Sequence, residues 1–144
     1  KNSFWPCRLE VFPGEPTIIL DGAHNGASAD ALAHALRRHF KYNSLTMVVG
    51  LLRDKDTTRF IRALAPMANK IIATTPSYYR KLSSDKLCMR FRRRLFECDS
   101  IDNPADAVVK AIESTPKGGA VLVTGSLYLV GEMRTLLGQF ALAK

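Results

Sequence analysis

The chain has 144 residues, 47% of them hydrophobic, which suits one compact domain around a single core and argues against two. Its 21 Lys and Arg against 13 Asp and Glu give a net charge of +8, a field that favours anionic partners such as nucleotides, polycarboxylates or nucleic acid without choosing among them. No stretch approaches the roughly 20 apolar residues of a membrane span, Lys1 to Arg8 lack a signal-peptide core, and Cys7, Cys88 and Cys98 form neither a CxxC pair nor a metal-ligand spacing; the expectation is a cytoplasmic protein with reduced thiols, no metal of its own and no membrane partner.

Short apolar runs alternate with stretches of helical period, which is the pattern of the α/β class: a Rossmann-like, mostly parallel sheet with helices on both faces. Arg8 to Phe12 and Thr17 to Leu20 read as strands around Pro13, Gly14 and Pro16, an N-terminal antiparallel hairpin or edge strand. Ala29, Leu32, Ala33, Leu36 and Phe40 recur at spacings of three and four and give the next helix one apolar face. A strand follows at Leu45 to Val49, then a helix capped by Asp56 with Phe60, Ile61 and Leu64 inward, then a strand at Lys70 to Thr74. Leu95 to Cys98 reads as a short edge strand. Asn103 and Pro104 start a helix carrying Val108, Val109 and Ile112, Ala120 to Thr124 form the last strand, and Val130, Met133, Leu137 and Phe140 share one side of the final helix.

Two features read as surface. His34 and His39 lie five apart, about 140° around a helix, so they do not chelate one metal. Arg90, Arg92, Arg93 and Arg94, interrupted by Phe91, read as a solvated run, and no nucleic acid partner is expected.

In an open α/β sheet ligands lie beyond the carboxyl ends of the strands, so the residues just after each strand carry the functional information. Asp21-Gly22-Ala23-His24-Asn25-Gly26 sets a carboxylate, an imidazole and an amide around two glycines at the start of a helix, as either a capped turn with Asn25 as N-cap or an anion site. Gly50 leads to Asp54-Lys55-Asp56, where one Asp caps a helix and Lys55 offers a point charge to a carboxylate or phosphate. Gly125-Ser126 opens the last helix with a hydroxyl and free backbone donors. Trp5-Pro6-Cys7-Arg8 sets a fork-shaped donor at the start of a strand, for a phosphate or an acid. No GxxxxGK[ST] loop and no GxGxxG after a strand occurs, so hydrolysis of ATP by this chain alone is not expected.

Taken in order, Trp5-Pro6-Cys7-Arg8-Leu9-Glu10-Val11, Leu20-Asp21-Gly22-Ala23-His24-Asn25, Gly50 with Asp54-Lys55-Asp56, and Val123-Thr124-Gly125-Ser126-Leu127-Tyr128-Leu129 resemble the C-terminal domain of the folylpolyglutamate synthases, ligases of the Mur type. The resemblance covers nearly the whole chain. It implies one Mur ligase C-terminal domain over residues 1–144, with the N-terminal ATPase domain that carries the phosphate loop and the Mg2+ ligands absent from this chain. It also implies a ligase that uses ATP to phosphorylate the γ-carboxylate of a reduced folate, which L-glutamate then attacks; many bacterial members also act on dihydropteroate. By the same resemblance Arg8 reaches the phosphates, Asp21 the nucleotide at its ribose, and His24 the reacting phosphate or the glutamate. Lys55 and Ser126 match positions for glutamate carboxylates. The implied partners are the chain's own ATPase domain, ATP, L-glutamate and reduced folate, in a monomer. Alternatives are another Mur-type amino-acid ligase or a stand-alone anion-binding module. The sequence departs from the family at Cys7, where Gly or Ala is common, and at Gly26, which replaces a frequent Pro and is expected to loosen the first helical turn. Ser77-Tyr78-Tyr79-Arg80 stands where Pro-Arg-Ala is frequent, and Arg80 aligns with that Arg.

Overall fold

The computed structural model describes residues 8–143, with side chains through residue 139. Six strands, β1 (Glu10–Phe12), β2 (Thr17–Asp21), β3 (Leu45–Val49), β4 (Lys70–Ala73), β5 (Asp99–Ser100) and β6 (Ala120–Thr124), form one sheet in the order β1-β2-β6-β3-β4-β5. β1 runs antiparallel to β2, and the other pairs are parallel. The crossovers are α1 (Gly26–His39), α2 (Thr57–Leu64), α3 (Ser84–Arg93) and α4 (Pro104–Ser114), and α5 (Leu127–Ala143) follows β6.

Side chains alternate across the central strands and divide the core in two. Leu45, Met47 and Val49 of β3 join Leu36 of α1, Phe60 and Leu64 of α2 and Phe91 of α3 on one face. Val48, Leu20, Val121 and Val123 join Val108 and Ala111 of α4 and Leu129 and Val130 of α5 on the other. The expected α/β sheet with helices on both faces and an antiparallel N-terminal pair is what the chain forms. Asn25, Asp56 and Asn103 cap α1, α2 and α4 through their side chains. No helix among the described residues is long and apolar enough to cross a membrane.

Several boundaries differ from the sequence reading. β1 begins at Glu10 rather than Arg8, because Leu9 takes a φ of 45° that breaks the extended run. β2 continues one residue further, to Asp21, and β4 stops at Ala73 rather than Thr74. Helix α3 was not expected: Ser83 caps it, and Ser84, Leu87, Cys88 and Phe91 face the core at helical spacing while the arginines fill its last turn. Leu95 to Cys98 is not a strand. Leu95 ends α3 with a φ of 70° and is 93% exposed, and the edge strand is Asp99–Ser100. Val109 faces solvent; Ala107, Val108 and Ala111 are the inward residues of α4. His34 and His39 are exposed. Trp5, Pro6, Cys7 and the Phe140 side chain lie outside the described residues.

Candidate functional site

Register aligns the ends of three neighbouring strands. Thr124 at the end of β6 is paired with Asp21 of β2 on one side and with Val49 of β3 on the other, and each of the three is followed by a glycine: Gly125, Gly22 and Gly50. At Gly125 the φ is 113°, and a Cβ there would collide with the Gly50 carbonyl. Only a residue without a side chain allows these loops to approach so closely. Chain direction along the sheet reverses where β6 inserts between β2 and β3, the position at which open α/β sheets hold ligands.

The turn after β2 is held by local bonds. Asp21 Oδ1 accepts from Ala23 N at 2.9 Å and its Oδ2 from Leu9 N at 3.1 Å. Burial raises the Asp21 carboxyl above the usual carboxylate range, opposed by these two amides and by the charges of Arg8 and His24. The Nδ1 of His24 lies 3.0 Å from the Gly22 carbonyl; a carbonyl only accepts, so Nδ1 carries a proton and Nε2 is the ring nitrogen free to meet a ligand. The Asn25 side chain accepts from Ser28 N at 2.8 Å, while Ser28 Oγ accepts from the amides of His24 and Asn25, a capping box that fixes the start of α1. At Gly26, which replaces the family's frequent Pro, an added Cβ would lie 2.7 Å from the Cβ of Arg59, the residue that pairs with Asp30 across α1 and α2, so a larger residue there requires Arg59 to move.

Two hollows open at these strand ends, and His24 lines both. The larger, about 420 Å³, is bounded by Arg8, Asp21, the Gly22-Ala23 backbone, His24 and Leu127. The smaller, about 210 Å³, is bounded by His24, Lys55, Arg80, Ser126 and Tyr128. All five residues singled out from the sequence thus fall around one pair of adjoining hollows: Arg8, Asp21 and His24 in one, Lys55, Ser126 and His24 in the other. A third hollow, of 440 Å³, lies beside Arg92, Leu95 and Cys98, on residues that lead into β5 rather than out of a strand. Its size does not make it a site, because no glycine turn or helix start faces it.

Ser126 is 2% exposed, and its Oγ accepts from Tyr128 N at 3.1 Å, which leaves the hydroxyl proton to donate. Lys55 is half-buried. Arg80 and Tyr128 were not assigned from the sequence. The loop after β4 folds back on the loop after β3, with Arg53 N donating to Arg80 O at 2.8 Å and Leu82 N to Leu51 O at 2.9 Å. This short antiparallel ribbon carries the Arg80 side chain to the smaller hollow beside Lys55. Tyr128 stacks on Tyr78, ring centroids 3.8 Å apart, and closes the far wall. Only the alignment of Arg80 with a family Arg pointed this way in the sequence. Among the described residues no group of three or more His, Cys, Asp or Glu is placed to hold a metal ion.

Residues 7–127 match the family described as Mur ligase, glutamate ligase domain. The chain is 33% identical over 141 residues to the dihydrofolate synthase/folylpolyglutamate synthase of Bacillus subtilis, covering 92% of this chain and 30% of that protein. It is 34% identical over 136 residues to the probable bifunctional folylpolyglutamate synthase/dihydropteroate synthase of Halobacterium salinarum, covering 94% of this chain and 16% of that one. Among solved structures, folylpolyglutamate synthase of Mycobacterium tuberculosis complexed with ADP and AMPPCP superposes with a TM-score of 0.88 at 29% identity, over 95% of this chain and 33% of that one. The chain spans less than a third of the B. subtilis and H. salinarum proteins. With the family matched over most of its length, this chain belongs to the Mur ligase glutamate ligase domains.

Proposed function

We propose that this chain is the amino-acid-binding domain of a cytoplasmic, monomeric ligase that uses ATP to join L-glutamate to the γ-carboxylate of a reduced folate. The observation that carries the reading is His24 lining two adjoining hollows, one with the Arg8 guanidinium at its rim, suited to a phosphate, and one with Lys55 and Arg80, suited to carboxylates. The names of its relatives and the nucleotide complexes of its structural neighbour supply the substrate class.

The chemistry fits this division of labour. A carboxylate is a poor electrophile, so an oxygen of the folate γ-carboxylate attacks the terminal phosphorus of ATP and ADP leaves. The glutamate nitrogen then attacks the acyl carbon, inorganic phosphate departs, and the amine gives up its proton as the amide forms. Arg8, exposed at the rim of the larger hollow, supplies a fork of donors to the phosphates. Asp21 lies beside it for the nucleotide ribose. Lys55, Arg80 and the Ser126 hydroxyl hold the two carboxylates of glutamate in the smaller hollow, and His24 turns its free Nε2 to the departing phosphate. These are positioning and electrostatic contributions. On this reading Mg2+ and the phosphate loop are supplied by an ATPase domain outside this chain.

The test is phosphate release by the full-length protein given ATP, tetrahydrofolate and L-glutamate together. Release should require all three and fall by at least about tenfold in His24→Ala, the scale of one lost transition-state contact. Release without dependence on glutamate, or unchanged in the variant, refutes the reading.

A further inference from the structure

Asp54 is the one carboxylate of the Asp54-Lys55-Asp56 cluster with no capping role, since Asp56 caps α2 through Thr58 N. It sits inside the tight turn closed by Lys55 N donating to Leu52 O, and its Oδ2 lies 3.0 Å from Nη1 of Arg80. The backbone ribbon of residues 51–53 and 80–82 fixes where the Arg80 side chain starts, and Asp54 fixes where its guanidinium ends. The Tyr79 ring, with its centroid 5.9 Å from Arg80 Cζ, bounds another side. Within this frame Arg80 Nε is buried and has no hydrogen-bond partner among the described residues. A buried donor left unbonded is rare and marks a place that an acceptor fills. The guanidinium is a rigid fork, so holding one arm orients the others, which a flexible ammonium in the same place does not permit.

We propose that Asp54 is a positioning residue: it holds the Arg80 guanidinium so that the unbonded donors face a carboxylate of the incoming amino acid in the hollow shared with Lys55 and Ser126. The proposal rests on the reading of that hollow as the amino-acid subsite. It makes Asp54 a determinant of amino-acid affinity that never touches the amino acid. It also separates the two cations: Lys55 is a point charge at the start of α2, and Arg80 is directional only while Asp54 holds it.

The experiment is steady-state kinetics of the full-length protein carrying Asp54→Asn, Asp54→Glu, Arg80→Ala or the Asp54→Asn/Arg80→Ala pair. Asp54→Asn should raise KM for L-glutamate by about tenfold, with kcat and KM for ATP within about twofold of wild type, the signature of lost ground-state binding. Asp54→Glu, which keeps the ion pair, should restore most of the affinity. In the Arg80→Ala background the further Asp54→Asn change should have no additional effect, since the residue then has nothing to position. A purely structural role for Asp54 predicts the opposite: kcat and both KM values change together, and the effect persists without Arg80. If Arg80→Ala raises KM for glutamate while Asp54→Asn does not, the proposal is overturned and the subsite stands. If neither changes KM for glutamate, the subsite reading itself has failed.

Discussion

Gly125→Ala tests the arrangement on which the site depends. Two costs follow from the structure. The backbone at 125 has a φ of 113°, and forcing a residue with a Cβ into such a region costs about 1–3 kcal/mol. The Cβ also meets the Gly50 carbonyl, and because both sides of that contact are backbone, no rotamer relieves it; overpacking of this kind costs about 1–3 kcal/mol more. The lower entropy of an unfolded chain with Ala offsets about 0.4–1 kcal/mol. The net loss is about 1–6 kcal/mol, a large share of the roughly 5–15 kcal/mol typical of a domain. Urea unfolding of the 144-residue chain at fixed m-value reads it directly. Gly131→Ala is the matched control: nothing lies within 4 Å of a Cβ there, and in the helix interior it should gain up to about 1 kcal/mol. A loss below about 1 kcal/mol at Gly125, or equal effects at the two positions, would refute the close-approach argument.

Two further outcomes follow from titratable groups. Because burial raises the Asp21 carboxyl above its ordinary value, the folded chain holds that proton where the unfolded chain has released it, so ionising Asp21 costs stability as pH rises through the carboxylate range. Asp21→Asn removes this cost, and the stability difference between variant and wild type, from unfolding at several pH values, should move in the variant's favour as pH rises above about 4, the unfolded carboxylate's range; a flat or opposite trend contradicts the assigned cause. Cys98 is 5% exposed and Cys88 1%, and burial, followed by the neighbouring Cys88 thiol, pushes the Cys98 thiol far up. In a Cys7→Ser background, labelling by a disulfide reagent at pH 8 should therefore be slow in the folded chain and fast in urea, whereas rapid labelling of the native form would show that the two thiols are open to solvent.

What the sequence disclosed, and what it hid, follows from the range of the interactions involved. Strands β2, β3 and β6 and helices α1, α2, α4 and α5 were legible because period and caps are local signals, written within a dozen residues. Helix α3 was hidden although its cap, Ser83, and its inward residues Leu87, Cys88 and Phe91 follow the same rules, because the dense arginines in its last turn read as a solvated run. The end of that helix at Leu95 depends on a left-handed residue with a large side chain, for which the sequence carries no glycine to mark it. The polar residues of the site were visible as chemistry after strands. Their arrangement was not, since the alignment of Gly22, Gly50 and Gly125 requires knowing that β6 lies between β2 and β3. Arg80 reaches its hollow through pairing of two loops about thirty residues apart, which no local pattern encodes.

That long-range organisation adds a structural task to Asp21. Besides the nucleotide contact proposed for it, each of its oxygens accepts a backbone amide, which leaves further lone pairs for a ligand. One of those amides belongs to Leu9, whose φ of 45° is unfavourable for a leucine and persists only where surrounding bonds impose it. Leu9 is the residue that turns the chain between Arg8 and β1. By anchoring Leu9, Asp21 determines where Arg8 enters the larger hollow, which both residues line, and the two opposite charges attract. The second amide, from Ala23, shapes the turn whose Gly22 carbonyl orients His24. One carboxylate thus sets the geometry of both the cation and the imidazole of the larger hollow. Asp21 need not touch the nucleotide for its loss to disable the site, because removing it frees Leu9 and the His24 turn together.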